Sequence, residues 1–128
     1  MKLVKVFALF AALHLIGWVA AHVYRSANPD EVLVVIDTSH VMQAHFPDMQ
    51  RWLDDYQASA RYKTIHVGTD KADLGKLAEF KSKEALFRTV FGKMTEDNLR
   101  RYDGSSATEK ILLSDGSVNA PGWNVVTF

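Results

Sequence analysis

An apolar strand that leads into an amphipathic helix constrains the fold of this chain more than any other segment. Residues 32–36 are five apolar, mostly β-branched residues without alternation, which is typical of a strand covered on both faces. From Met42 to Tyr56 the apolar residues recur at spacings of four and three, and this pattern predicts a helix with one buried face. We therefore expect an α/β fold with a helix packed on a central strand.

Composition limits the chain to one domain and excludes several kinds of chemistry. Its 128 residues leave room for one core of about 100 residues and a short extra element. Basic and acidic residues are equal in number at 15 each, so we expect no nucleic-acid partner. Cysteine is absent, which excludes thiol–disulfide exchange and cysteine-ligated zinc or iron–sulfur clusters.

The N-terminal apolar run, residues 3–23, is long enough to cross a membrane. As a helix it would span about 31 Å, which matches the hydrocarbon core of a bilayer. Lys2 and Lys5 precede the run and acidic residues follow it, so the positive-inside rule predicts a cytoplasmic N-terminus. We expect a single-pass protein of the bacterial inner membrane with its C-terminal domain in the periplasm. The alternative is a signal peptide cleaved after the small residues 19–21.

This interpretation divides the chain into an anchor at 1–25, a linker at 26–30 and a domain at 31–128. His14 lies near the middle of the anchor, where an ionisable side chain is costly and is often functional. It is a candidate for a hydrogen bond to another helix or for ligation of a tetrapyrrole such as haem. The alternative is a neutral imidazole satisfied by a partner helix or by its own backbone. We predict no cofactor.

The remaining elements follow in a regular order. Residues 62–68 read as a second strand, and residues 70–98 carry an apolar pattern that predicts two helices. Residues 110–113 read as a third strand, the sequence Ser-Asp-Gly at 114–116 as a hairpin turn, and residues 122–128 as a fourth strand.

This order resembles the thioredoxin fold, especially membrane-anchored periplasmic thioredoxin-like proteins. In that family the turn after the first strand carries two redox cysteines, and Pro47 matches the proline that follows them. The resemblance implies a three-layer domain with a mixed four-stranded sheet, here without the last helix, the cysteines and the cis-proline, whose place Ala107 takes. The positions of the degenerate redox motif are Ser39, His40, Val41 and Met42.

Ser39 does not replace the missing cysteine as a nucleophile. A helix N-terminus stabilises a negative charge by about 0.3 to 2 kcal/mol, far too little to ionise a serine hydroxyl. We expect Ser39 to cap the helix and Met42 to fill the core. His40 beside Ser39 does not make a catalytic pair, because adjacent residues at a helix start rarely face each other. We therefore predict that the protein is not an enzyme.

The last strand offers a candidate interaction surface. Without a terminal helix, part of one sheet face would be bare, and an uncovered apolar patch usually marks a binding site. The alternative is that alternate residues simply face the core. We expect a non-catalytic accessory or scaffold subunit of a larger integral membrane protein complex. The candidate interface residues are Trp123, Val125, Val126 and Phe128.

A second hypothesis is a site for a divalent cation. Asp37 and Ser39 follow one apolar strand and Asp115 follows another, which resembles part of the metal-dependent adhesion site of von Willebrand factor A domains. Carboxylate and hydroxyl oxygens suit Mg²⁺. In the D-x-S-x-S motif of that family, the third position is Val41 here. The alternative function is therefore a divalent-metal-dependent adhesion module.

Overall fold

The computed structural model of the protein describes residues 1–88 and 91–128. Its first element is α1, Lys2–Ala27, in which no residue is buried. The helix has a mean hydropathy of 2.0 in its most apolar window, so it is long and apolar enough to cross a membrane. A signal sequence near the N-terminus has the same properties. The expected N-terminal apolar helix is confirmed.

One side chain near the end of α1 contacts the domain. His22 Nδ1 and the hydroxyl of Tyr62 share a hydrogen bond, and the His22 ring also stacks on Trp18 with ring centroids 5.9 Å apart. Tyr62 has φ +60° and its carbonyl accepts a 3.0 Å hydrogen bond from the amide of Asp30. The end of the helix and the beginning of the sheet therefore meet at the same place.

Five strands form one mixed sheet, so the α/β class is confirmed and the expected count of four strands is wrong. The strand order is β3-β2-β1-β4-β5, in which β1 pairs in parallel with both β2 and β4. β5 also runs parallel to β4, and only the edge strand β3 is antiparallel to its neighbour. The strands are β1 Asp30–Ile36, β2 Lys63–Thr69, β3 Asp73–Lys76, β4 Glu109–Ser114 and β5 Asn124–Thr127.

The helix after β1 begins later than the sequence pattern indicates. A 3₁₀ helix, His40–His45, comes first, and α2 then occupies Phe46–Ser59. Pro47 lies in the first turn of α2, where its missing N–H costs no hydrogen bond. The thioredoxin resemblance instead places this proline about two turns into the helix.

Among the described residues of the range 70–98, the only α-helix is the short α3 at Glu96–Arg100, in place of the two helices expected there. The described part of this range contains β3 and two 3₁₀ turns, while Val90 lies outside the described residues. A turn at Gly75, with φ +96° and an amide that donates to the Asp73 carboxylate, favours the strand. Leu74, Leu77, Phe80, Leu86 and Phe87 still reach the core, but from a strand and 3₁₀ turns, whereas Phe91 is exposed, so helical spacing alone is misleading here.

The core has two halves, one on each face of β1. Val34 and Ile36 belong to the half covered by α2, where Met49 and Leu53 are fully buried. Leu33, Val35 and their neighbours belong to the other half, which α3 and the segment after it cover. Because both faces are covered from Val32 to Ile36, these five positions of β1 need apolar residues, whereas Asp30 and Glu31 lie at the less buried start of the strand.

The hairpin predicted at residues 114–116 is wrong. The chain does turn at Gly116, with φ +82°, but segment 115–123 then returns to the other end of the sheet and β5 starts parallel to β4. An Asp-Gly pair predicts a local turn, whereas the direction of the next strand depends on packing. All described peptide bonds are trans, including those at Ala107, which packs partly buried against the second half of the core.

Gly68 provides a test of this packing. A Cβ at this position would lie 2.3 Å from the Tyr102 hydroxyl, so Gly68→Ala should lower the free energy of unfolding by about 1 to 3 kcal/mol. Gly104→Ala is the matched control, because a Cβ there meets nothing within 4 Å. Urea unfolding of the full chain in detergent, followed by tryptophan fluorescence, would measure both. Equal stability of the two variants would contradict the close packing of Gly68 against Tyr102.

Candidate functional site

The sheet order places a topological switch point at the carboxyl ends of β1 and β4, and the space beyond these strand ends is called the crevice below. From β1 the chain continues to β2 on one side, and from β4 it continues to β5 on the other side. Open α/β sheets bind ligands at such a switch point, outside the carboxyl ends of the strands. The three residues of the cation hypothesis, Asp37, Ser39 and Asp115, all follow these two strands.

Asp37 is fixed at the end of β1 by its backbone and its side chain. Its amide donates a 2.9 Å hydrogen bond to the carbonyl of Leu113 in β4. Its Oδ1 accepts a 2.9 Å hydrogen bond from the amide of Ser39, which closes a tight turn. The Asp37 side chain is buried, with the residue 3% exposed, whereas Ser39 is half-buried. The turn therefore holds a buried carboxylate and a serine side by side.

Asp115 lies on the solvent side of the same crevice. It is exposed, and its Oδ1 accepts a 2.9 Å hydrogen bond from the amide of Ser117. Hydrogen bonding from Ser117 holds the pKa of the Asp115 carboxyl below its ordinary value. Asp115 is therefore available as a charged oxygen ligand.

Asp70 is a residue of this edge that sequence reasoning missed. It follows β2 and is only 2% exposed. Its Oδ1 accepts hydrogen bonds from the amide and the hydroxyl of Thr38, while its Oδ2 is buried and has no hydrogen-bond partner in the described part of the chain. The available signal was its place directly after a parallel strand, the same signal that singled out Asp37.

The buried carboxylates create a negative potential in the crevice. Burial raises the pKa of Asp37, and the negative charges of Asp70 and Asp115 raise it further, against the opposite effect of hydrogen bonds from Ser39. Like charges at close range are unfavourable unless a cation neutralises them. Burial and these like charges therefore disfavour the ionised form of Asp37, and a cation bound at this edge would offset that effect.

The residues present could hold only a cation that keeps part of its water shell. Within the described chain, no three His, Cys, Asp or Glu side chains converge to hold a metal ion by themselves. Mg²⁺ is usually bound through one or two carboxylates and retains several water molecules. Asp37, Asp115 and the Ser39 hydroxyl would supply such a partial set of oxygen ligands. They would not form a complete cage of protein ligands.

The four positions of the proposed degenerate redox motif have different surroundings. Ser39 occupies the N-cap of the 3₁₀ helix, but its side chain makes no capping hydrogen bond, so the capping role predicted for its hydroxyl is wrong. His40 packs edge-on against Phe91 with ring centroids 4.8 Å apart. Met42 is buried in the core as expected, whereas Val41 points into solvent.

An exposed apolar patch borders the crevice. Among the described residues after residue 27, the only large apolar residues that are exposed are Val41, at 69%, and Phe91, at 43%. A β-bridge between Ser39 and Gly92 brings the Phe91 segment beside the turn after β1. Apolar residues next to a polar crevice are typical of a binding surface.

The candidate interface on β5 is partly buried. Val126 and Phe128 pack against the half of the core under α2, whereas Trp123 and Val125 pack against the other half. Each of the four side chains therefore contributes to the core and keeps part of its surface accessible.

His14 is exposed on α1, far from the crevice in sequence. Its ring centroid lies 4.3 Å from that of Phe10, and together with Gly17 and Trp18 it lines a shallow groove on the helix surface. This position is compatible with contact to another membrane helix.

The burial of the Asp37 carboxylate predicts that replacing it with a neutral amide stabilises the fold. The pKa of Asp37 is raised in the folded chain. Its carboxyl therefore stabilises the fold at pH values below 3.8, its ordinary pKa, and this stabilisation is lost as the pH rises through the raised pKa of the folded chain. Asp37→Asn should therefore raise the melting temperature at pH 7 in the absence of divalent cations. Differential scanning calorimetry with a chelator present measures it. The advantage of the variant over the original chain should shrink towards pH 4, and a destabilised variant at pH 7 would contradict a raised pKa for Asp37.

No family model, curated protein or solved structure matches the chain. The resemblances to thioredoxin-like proteins and to von Willebrand factor A domains therefore rest on the residues and the geometry given above. The features that are shown directly are the α/β class, the mixed sheet and the N-terminal apolar helix.

Proposed function

We propose that the chain is a membrane-anchored, non-catalytic binding protein that holds a divalent cation and docks a partner protein at the carboxyl ends of β1 and β4. The observation that carries this proposal is the meeting of two separate segments, Asp37 with Ser39 and the turn at Asp115, at the switch point of the sheet. These segments are 76 residues apart in the chain at their closest, and the parallel pairing of β1 with β4 supports their acting together.

The chemistry of the edge supports binding of Mg²⁺. Two carboxylates and a hydroxyl supply hard oxygen ligands, and the open side of the crevice leaves coordination positions for water or for a partner. The exposed Val41 and Phe91 border this open side and would contact the partner. A cation at this place would also offset the burial and the like charges of Asp70 and Asp115, which together raise the pKa of Asp37.

Of the two family resemblances, the von Willebrand factor A likeness agrees better with the parallel sheet. The thioredoxin likeness implies an antiparallel hairpin at the end of the domain, whereas β5 runs parallel to β4. Without cysteine the chain has no thiol chemistry in either case. With α1 as an anchor and the charge pattern described above, the binding domain would face the periplasm.

Calorimetric titration of the full chain in detergent with MgCl₂ tests this function. We expect saturable binding of one Mg²⁺ and at least a tenfold weaker affinity in Asp115→Asn, because that variant loses a charged ligand. The matched control is Asp55→Asn, which removes an exposed carboxylate on α2 and should bind Mg²⁺ normally. The proposal fails if the original chain shows no heat of binding at millimolar Mg²⁺.

A second function is supported by α1. None of its residues is buried in the chain, and Gly17 has open space around it beside the groove that His14 lines. Such a surface can pack against helices of an integral membrane protein complex. The chain would then be an accessory subunit that brings its cation-binding domain to that complex.

Extraction of the untagged chain in mild detergent tests the second function. We expect a discrete set of membrane proteins to co-purify, and we expect Gly17→Leu to reduce their amount because leucine fills the space at the helix surface. Ile16→Leu is the control, since it keeps an apolar side chain of the same size. A monodisperse chain without associated membrane proteins would contradict this role.

A further inference from the structure

We propose that Asp70 is a positioning residue of the cation site, which fixes the turn between Asp37 and Ser39 without contacting the cation. This inference deepens the proposed function and rests on it. Asp70 belongs to neither of the two segments that supply the ligands, because it follows β2 and the ligands follow β1 and β4.

The first argument is the hydrogen bonding of Thr38. This buried residue stands between the two ligands of the β1 turn, and both its amide and its hydroxyl donate to Oδ1 of Asp70, with the amide at 3.3 Å. Two hydrogen bonds to one carboxylate oxygen fix both the backbone and the side chain of Thr38. The directions of Asp37 and Ser39 are therefore set by a residue of a different strand.

The second argument is the close packing of Gly92 on Asp70. A Cβ at Gly92 would lie 1.7 Å from Oδ2 of Asp70, so no larger residue fits beside the carboxylate. The amide of Gly92 donates a 3.3 Å hydrogen bond to the carbonyl of Thr38, and Gly92 forms the β-bridge with Ser39. Asp70 thus lies at the junction of three segments that surround the crevice.

The third argument is the unsatisfied oxygen. Oδ2 of Asp70 is buried and has no hydrogen-bond partner among the described residues, and leaving a carboxylate oxygen in this state costs free energy. An apolar residue would avoid the unpaired oxygen, but it would leave the amide and the hydroxyl of Thr38 without their acceptor. The cost is explained when the carboxylate holds the site in the geometry that the cation requires and adds negative potential to the crevice.

The choice of cation gives a readout that a purely structural role would not change. Mg²⁺ demands a near-ideal octahedral arrangement of ligands, whereas Ca²⁺ accepts irregular geometry. A turn that has lost its fixed position should therefore bind Mg²⁺ much less tightly and Ca²⁺ only a little less tightly. A loss of stability alone would leave both affinities of the folded protein unchanged.

The experiment titrates the full chain in detergent with MgCl₂ and, separately, with CaCl₂. We expect Asp70→Ala to weaken Mg²⁺ binding at least tenfold and Ca²⁺ binding less than threefold. Asp70→Asn should restore most of the Mg²⁺ affinity, because its amide oxygen can accept both hydrogen bonds from Thr38. Normal Mg²⁺ affinity in Asp70→Ala, or equal losses in the two variants, would overturn the positioning role.

Thr38→Val keeps the inference testable where Asp70→Ala does not fold. This variant keeps the shape of the side chain and removes only the hydroxyl donor, so it should again weaken Mg²⁺ binding more than Ca²⁺ binding. Thr108→Val is the matched control, since it removes a 3.0 Å hydrogen bond to the Glu31 carbonyl at the opposite end of the sheet. If Thr38→Val binds both cations like the control, Asp70 has no positioning role.

The two proposals can fail separately. A chain that binds no Mg²⁺ in any form disproves the cation-binding function itself. The function stands if the original chain binds Mg²⁺ and Asp115→Asn does not. If Asp70→Ala and Thr38→Val both still bind Mg²⁺ normally, only the proposed role of Asp70 is wrong.

Discussion

The burial of β1 on both faces is the constraint on which the rest of the structure depends. Val32–Ile36 lie between two halves of the core, and β1 pairs in parallel with a strand on each side. In a strand in this position, polar side chains are expected only at or beyond its ends. The first polar residue after the buried run is Asp37, which is itself buried; it continues the pairing through its amide, and the chain then turns. The location of the candidate site is thus a direct result of the hydrophobic effect acting on five residues.

The sequence predicts the parts of the fold that depend on local burial. β1, β2, β4 and α2 have apolar patterns of the correct period, and each prediction lies within a few residues of the observed bounds. The strand around Gly75 is not predicted, because the apolar residues of its segment have helical spacing although they reach the core through turns. The predicted direction of β5 is also wrong. It depends on contacts with β4 and both core halves, which a local Asp-Gly turn signal cannot report.

Some residues of the candidate site can be predicted from the sequence and others cannot. Asp37, Ser39 and Asp115 can be found from sequence because each stands after an apolar strand, in a pattern that resembles a known cation site. Asp70 also follows a strand, but its contacts with Thr38 and Gly92, which are distant from it in the chain, are visible only in the folded structure. Residues that supply ligands follow a recognisable spacing. Residues that would hold such ligands in place are recognised by their three-dimensional contacts, which a local sequence pattern does not report.

The shared direction of the strands determines how far the crevice lies from the end of α1. β1 begins at Asp30, immediately after α1 and Asn28–Pro29, and β2, β4 and β5 run the same way. Every one of these strands therefore starts near the end of α1 and finishes at the opposite edge, about 23 Å further on for a strand of seven residues. When α1 crosses a bilayer, this length carries the crevice past the lipid headgroups. The carboxyl ends of the strands would then lie in water, away from the membrane surface, where other macromolecules could reach them.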